Sequence, residues 1–159
     1  MKTKAELIDW LRDAYAMEKA MTSALQKQVN NQKLPLEARQ LASNHLTETE
    51  AHAEAVAVCL HELGTDTSMV KNAIAQGAEY AKGVSTMLAG DEHVKDVIAA
   101  YTSEHFEIAC YTALATAASH LGYPEIERTC RAILKEELRM AEKLQAGLPA
   151  VIQAYLLSD

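Results

Sequence analysis

Four long stretches with helix-period apolar residues, joined by two short links and one long one, constrain this chain more than any other feature. In the first, about Lys4 to Gln32, Leu7, Leu11, Ala14, Met21 and Leu25 fall on one helical face. Asn30, Asn31 and Leu34-Pro35 end it, and Pro35 starts the second in a first-turn position. That second stretch carries Leu41, Leu46, Ala53, Val56 and Leu60 to Gly64. The third runs from about Asp91, read as an N-cap, to Leu121, ahead of Gly122. The fourth follows Tyr123-Pro124 and reaches about Gly147. Pro149 to Leu157 reads as a further short amphipathic helix. With 6 glycines, 3 prolines and 5% aromatics, little in the chain interrupts helices or favours strands.

The short links make the first and second helices antiparallel, and likewise the third and fourth. Thr65 to Gly90 is too long for a tight turn and is expected to carry a short helix near Val70 to Tyr80. An all-α four-helix bundle with one long crossover at its midpoint is the ferritin-like topology. The 159 residues suit a single domain, 1–159, with a sizeable core.

Each apolar stripe is broken at mid-helix by glutamate. Glu18 fills the missing turn of the first series. The second reads Leu41, His45, Glu48, His52, Ala55, Cys59. The third reads Val97, Ala100, Glu104, Glu107, Tyr111, Leu114, and the fourth Ile126, Cys130, Ile133, Glu137, Met140, Leu144. Glu18 lies 14 residues past Lys4, Glu48 13 past Pro35 and Glu137 13 past Pro124. At about 1.5 Å per residue, each sits roughly 20 Å from its helix start. Antiparallel pairing then brings them to one level.

The halves repeat this pattern. Glu48 minus Glu18 is 30, Glu137 minus Glu107 is 30, and the two pairs are 89 residues apart. Glu18-x-Ala20-x-x-x-Ala24-Leu25 returns as Glu107-x-Ala109-x-x-x-Ala113-Leu114. A pseudo-twofold site built from two helix hairpins follows. Buried unpaired carboxylates cost several kcal/mol each and repel one another. Lys19, Lys135 and Arg139 project from other faces, so no basic partner shares the stripes. Two divalent cations would neutralise the cluster, and a donor set of carboxylates with few imidazoles suits iron or manganese. A single glutamate on such a stripe can equally be a misjudged surface residue or half of a salt bridge; four helices agreeing in depth and spacing favour a site.

His52 follows Glu48 by four and shares its face, which makes it a candidate ligand. His45, one turn before Glu48, is read as solvated or capping, or as lying just behind the ligands. Tyr15 and Tyr111 face the site but are read as core filling. Cys59, Cys110 and Cys130, with no Cys-x-x-Cys pair, are read as reduced thiols. The net charge of −7 argues against nucleic acid, and no apolar run suits a membrane helix or a signal peptide.

Asp9-Trp10-Leu11-Arg12-Asp13-Ala14 with Met17-Glu18-Lys19, His45-Leu46-Thr47-Glu48-Thr49, Phe106-Glu107-Ile108-Ala109-Cys110-Tyr111, and Ala132-Ile133-Leu134 with Glu136-Glu137 span all four helices. Together they resemble the YciE/YciF group of bacterial ferritin-like proteins, with the closer likeness to the YciE branch. The resemblance implies a cytoplasmic homodimer associated with stress. The wider superfamily sets a Glu on one helix of each hairpin and Glu-x-x-His on the other. By position, Glu18 and Glu107 match the first role, and Glu48 and Glu137 the Glu of the second. Glu104 with Glu107 resembles the paired glutamates of rubrerythrins, which implies that Glu104 ligates as well. The chain departs from the pattern at both histidines: Ala51 precedes His52, and Met140 stands three after Glu137. The second metal position is then all-carboxylate or weakly occupied.

The expected function is a dinuclear non-haem metal protein, with iron the first expectation and manganese the alternative, reacting with dioxygen or peroxide. Its expected ligands are Glu18, Glu48, His52, Glu104, Glu107 and Glu137. The rival is a stress-associated helical scaffold or binding protein whose metal site is structural or vestigial.

Overall fold

A computed structural model describes residues 3–68, 70 and 92–157. They form four helices: α1 (Lys4–Asn30), α2 (Leu36–Glu62), α3 (Glu92–Leu121) and α4 (Pro124–Leu157). No strand occurs among the described residues. The expected short helix of the crossover falls on residues outside that set.

Local chemistry sets most of the helix ends. The Thr3 backbone N–H donates to Glu6 Oε2 at 2.6 Å, half of a capping box that starts α1. Asn31 takes an extended conformation, and its side-chain oxygen accepts from the Lys33 backbone N–H at 3.0 Å. Two glycines stop α2 and α3. Gly64 (φ +75°) and Gly122 (φ +80°) occupy the left-handed region that side chains with a Cβ disfavour. Around Gly122 the Gly122 N–H reaches the Ser119 carbonyl at 3.2 Å and the Tyr123 N–H the Ala118 carbonyl at 2.9 Å. Gly64 repeats this with His61 at 2.9 Å and, through Thr65, with Leu60 at 3.1 Å. Both are Schellman stops that satisfy carbonyls a helix end leaves open.

The C-terminal segment is helical, as its pattern predicts, but it continues α4 rather than standing apart. Pro149 lies inside this 34-residue helix. Proline removes one N–H, so the carbonyl one turn earlier, at Gln145, lacks its usual intrahelical donor. The residues around it are mostly exposed, and water can take that role.

Contacts across the bundle fix its directions. Glu18 meets Tyr111 and Met21 meets Ser103, so α1 and α3 run antiparallel. Arg12 near the start of α1 donates to Thr65 just past the end of α2 at 2.7 Å. α1 packs on α2 and α3, and α4 packs on α3 and α2. α2 and α3 are therefore parallel and diagonal, and a link between them must travel the length of the bundle. The 27 residues of α2 cover about 40 Å at the helical rise. That distance explains the long connection where the other two are short.

The main apolar core lies toward the start of α1, where Leu7, Leu11, Val56, Leu60, Leu114 and Ile126 pack together. On the other side of mid-bundle, Leu25, Ala42, Met140 and Leu144 are buried. Between these layers lies a band of buried polar groups. Among the described residues no helix is long and apolar enough to cross a membrane.

Candidate metal centre

Every helix sends acid or imidazole into that band. Glu18 and Glu104 are 0% exposed, Glu107 and Glu137 1%. His52 at 4% and His45 at 6% join them from α2. Four carboxylates with two imidazoles fill a cross-section where ridge-packed helices would ordinarily place leucine.

The side chains converge in two overlapping groups. Glu18, His52 and Glu137 each offer a donor atom within 4.8 Å of the others, and so do His45, Glu104 and Glu137. Glu137 belongs to both. In the first group His52 Nδ1 lies 2.9 Å from Glu137 Oε1 and 3.9 Å from Glu18 Oε2. In the second His45 Nε2 lies 3.6 Å from Glu104 Oε1.

These atoms are close but unsatisfied. Glu18 Oε2, His52 Nδ1, both oxygens of Glu104, Glu107 Oε2 and Glu137 Oε1 are buried without a hydrogen-bond partner. His52 Nδ1 and Glu137 Oε1 approach to 2.9 Å and are both among these unpartnered atoms. An orphaned buried polar atom costs about 1–3 kcal/mol, more when charged. A set of orphans facing one another fits a cation shared among them, and oxygen with imidazole suits a divalent transition metal.

Electrostatics agree with the geometry. Burial pushes the Glu104 carboxyl up to about 10, helped by the adjacent Glu137. Burial likewise lifts Glu18 to about 7, although the Tyr111 hydroxyl donates to Glu18 Oε1 and opposes the rise. Glu107 is held well above the usual carboxylate range by burial and then by the charges of Glu137, Glu18 and Glu104. Burial pulls His45 down, toward the neutral imidazole that binds metals. At His52 burial also pulls downward, but Glu137, Glu18 and Glu136 outweigh it and raise the ring to about 9. Glu137 is lowered: burial acts upward, and His52 with its neighbours overcomes it. Burial thus pushes Glu18, Glu104 and Glu107 toward their protonated forms, a cost that a bound cation would remove.

Of the residues expected from the sequence, Glu18, His52, Glu104 and Glu137 meet in the two groups. Glu107 is buried beside them with one orphaned oxygen but lies outside both. Glu48 is half-buried, also outside both, and acts on His45 and Glu104 through its charge. The sequence reading missed His45, which is buried and not solvated. Its signal was present: His45 and His52 are seven residues apart, two helical turns on one face. It also missed Glu136, whose Oε2 lies 2.7 Å from His52 Nε2. No periodicity marks that residue, because it flanks the stripe and is half-exposed. Tyr111 fills the core, as expected, and its hydroxyl also serves Glu18.

The profile of the family described as a domain of unknown function, DUF892, matches residues 2–157. Protein YciF of Escherichia coli K12 is 34% identical over 146 residues, which cover 86% of this chain and 85% of YciF. The crystal structure of that protein, described as a stress protein, superposes with a TM-score of 0.71 over 96% of this chain and 99% of its own. A protein from Xanthomonas campestris pv. campestris superposes with a TM-score of 0.79 at 29% identity, covering 98% of this chain and 96% of that one. A dodecameric thioferritin from Bacteroides fragilis superposes at 0.76 with 20% identity, over 97% and 92% of the two chains. The last likeness concerns the fold alone, and it is to a ferritin-like bundle.

Proposed function

The chain belongs to the DUF892 family and is YciE/YciF-like, and from that premise we propose that it is a dinuclear non-haem metal protein. The orphaned donor atoms of the buried cluster carry this reading. Four buried carboxylates match the charge of two divalent ions, so the proposed stoichiometry is two per chain. Glu18 and His52 would hold one ion, Glu104 and His45 the other, and Glu137 would serve both. Glu107, buried beside them with an orphaned oxygen, and the half-buried Glu48 would be added ligands. The second imidazole then comes from α2, not from the Met140 position on α4.

Iron is the proposed metal, with manganese the alternative. When bound, iron would supply the redox chemistry for reaction with dioxygen or peroxide. The chain's own contribution is to exclude water with the flanking apolar layers, to hold the donors close before loading, and to keep Glu18 oriented through Tyr111. The same reading takes the protein as a cytoplasmic homodimer, as the family resemblance implies, and places it in stress defence, which the description of YciF as a stress protein supports.

Metal analysis of untagged protein, loaded anaerobically with iron, tests the proposal. About two ions per chain are expected, with both lost in Glu137→Ala and one lost in His45→Ala. Peroxide or dioxygen consumption by the loaded protein is the functional readout. Absence of bound metal in the parent protein would overturn the proposal. Full loading without oxidant consumption would favour the scaffold with a structural metal.

A further inference from the structure

Glu136 stands outside the cluster yet touches it. It neighbours Glu137 on α4, about 100° around the helix, and is half-exposed where Glu137 is buried. Its Oε2 lies 2.7 Å from His52 Nε2, while the opposite ring atom, Nδ1, faces Glu137 and Glu18. Arg139, one turn on, brings Nη2 to 3.8 Å from the other oxygen of Glu136, a long and largely solvated ion pair.

An imidazole binds a cation through one nitrogen only, and the proton must sit on the other. Glu136 offers an acceptor to Nε2 and none to Nδ1. We propose that Glu136 is a positioning residue that holds the proton of His52 on Nε2 and so presents the Nδ1 lone pair to the ion shared with Glu18 and Glu137. Orientation by an outer carboxylate also raises the ligand strength of the ring, and losing such a partner typically weakens metal binding roughly 10- to 100-fold. His45 sits seven residues earlier on the same helix, and its close carboxylate, Glu104, is one of the proposed ligands. The two ion positions therefore differ: an outer carboxylate braces the imidazole of the first. This inference rests on the dinuclear reading and is tested separately from it.

The experiment loads parent protein, Glu136→Ala, Glu136→Gln and the exposed control Glu142→Ala with zinc, a diamagnetic divalent probe. It reads affinity by competition with a chelator and the state of His52 by long-range proton–nitrogen NMR. The parent is expected to show Nδ1 bound and Nε2 protonated. Glu136→Ala should weaken one ion of the two by roughly 10- to 100-fold and lose the single His52 state. Glu136→Gln should recover much of both, because its amide oxygen still accepts from Nε2, and Glu142→Ala should match the parent. A merely structural side chain would not move the His52 nitrogen signals. Two ions at parental affinity in Glu136→Ala, or His52 bound through Nε2 in the parent, would overturn the inference while leaving the metal centre standing. A parent that binds no zinc and no iron would overturn both.

Discussion

At the scale of single residues, the informative feature is which donors the fold leaves unmatched. Tyr111 shows the reverse case. Its buried hydroxyl donates to Glu18 Oε1, so one oxygen of that acid is satisfied and only Oε2 is orphaned. Tyr111→Phe removes the donor without changing the packing much and leaves Glu18 with two unmatched oxygens. Urea denaturation of the metal-free variant should show a loss of about 1–3 kcal/mol, the cost of an unsatisfied buried acceptor. The Glu18 carboxyl should rise further, because this hydrogen bond opposes its burial more than the nearby His52 charge does. Stability equal to the parent would mean that water or a rotated Glu18 takes over the role.

At the scale of elements, the helix stops control how the two hairpins present their acids. The α3–α4 link is residues 122–123, so only a change that distorts this turn would alter the register of Glu104 and Glu107 against Glu137. A Cβ at Gly122 would meet nothing within 4 Å, and the penalty for Gly122→Ala is therefore conformational alone. A residue with a Cβ costs roughly 1–2 kcal/mol in the left-handed region. The unfolding free energy from urea denaturation should fall by that amount while the metal stoichiometry stays at its parental value. A larger loss, or loss of an ion, would show that the turn shifted the register.

At the scale of the whole molecule, the buried acids tie stability to pH. Glu18 rises from 4.5 to about 7, Glu104 from 4.5 to about 10, and His52 from 6.5 to about 9 on folding. Between those limits the folded metal-free chain holds more protons than the unfolded one. Its stability therefore falls as pH rises from about 5 to about 9. Glu137 and His45 have the opposite sign: the Glu137 stabilisation is lost only as pH falls below the usual carboxylate range, and the lowered His45 partly offsets the trend as pH rises through the imidazole range. Ions compete for the same sites as the protons, so metal affinity should rise with pH. Thermal denaturation in chelator at about pH 5.5 and about pH 8.5 is expected to give the higher midpoint in acid, and the added stability from metal is expected to be larger in base. A chelated protein that is more stable at the higher pH would show that the cluster does not hold protons as described.

The sequence by itself determined the four helices, their antiparallel pairing and the level of the acids. Apolar period, breaker position and rise per residue are local quantities, and they are read without knowing what lies opposite. It also placed Glu18, Glu104, Glu107 and Glu137 on inward stripes, and all four are buried. The tertiary structure decided which stripe neighbour faces which. The 89-residue repeat predicts a pseudo-twofold site, yet Glu137 belongs to both groups while its counterpart Glu48 is half-buried and belongs to neither. The repeat positions of His45 and His52 are Leu134 and Ala141, so both imidazoles come from α2 and the symmetry breaks there. The helix through Pro149 and the contact from Glu136 to His52 depend likewise on partners distant in sequence or on exposure. A stripe shows that a side chain turns inward; only the packed neighbours decide what it finds.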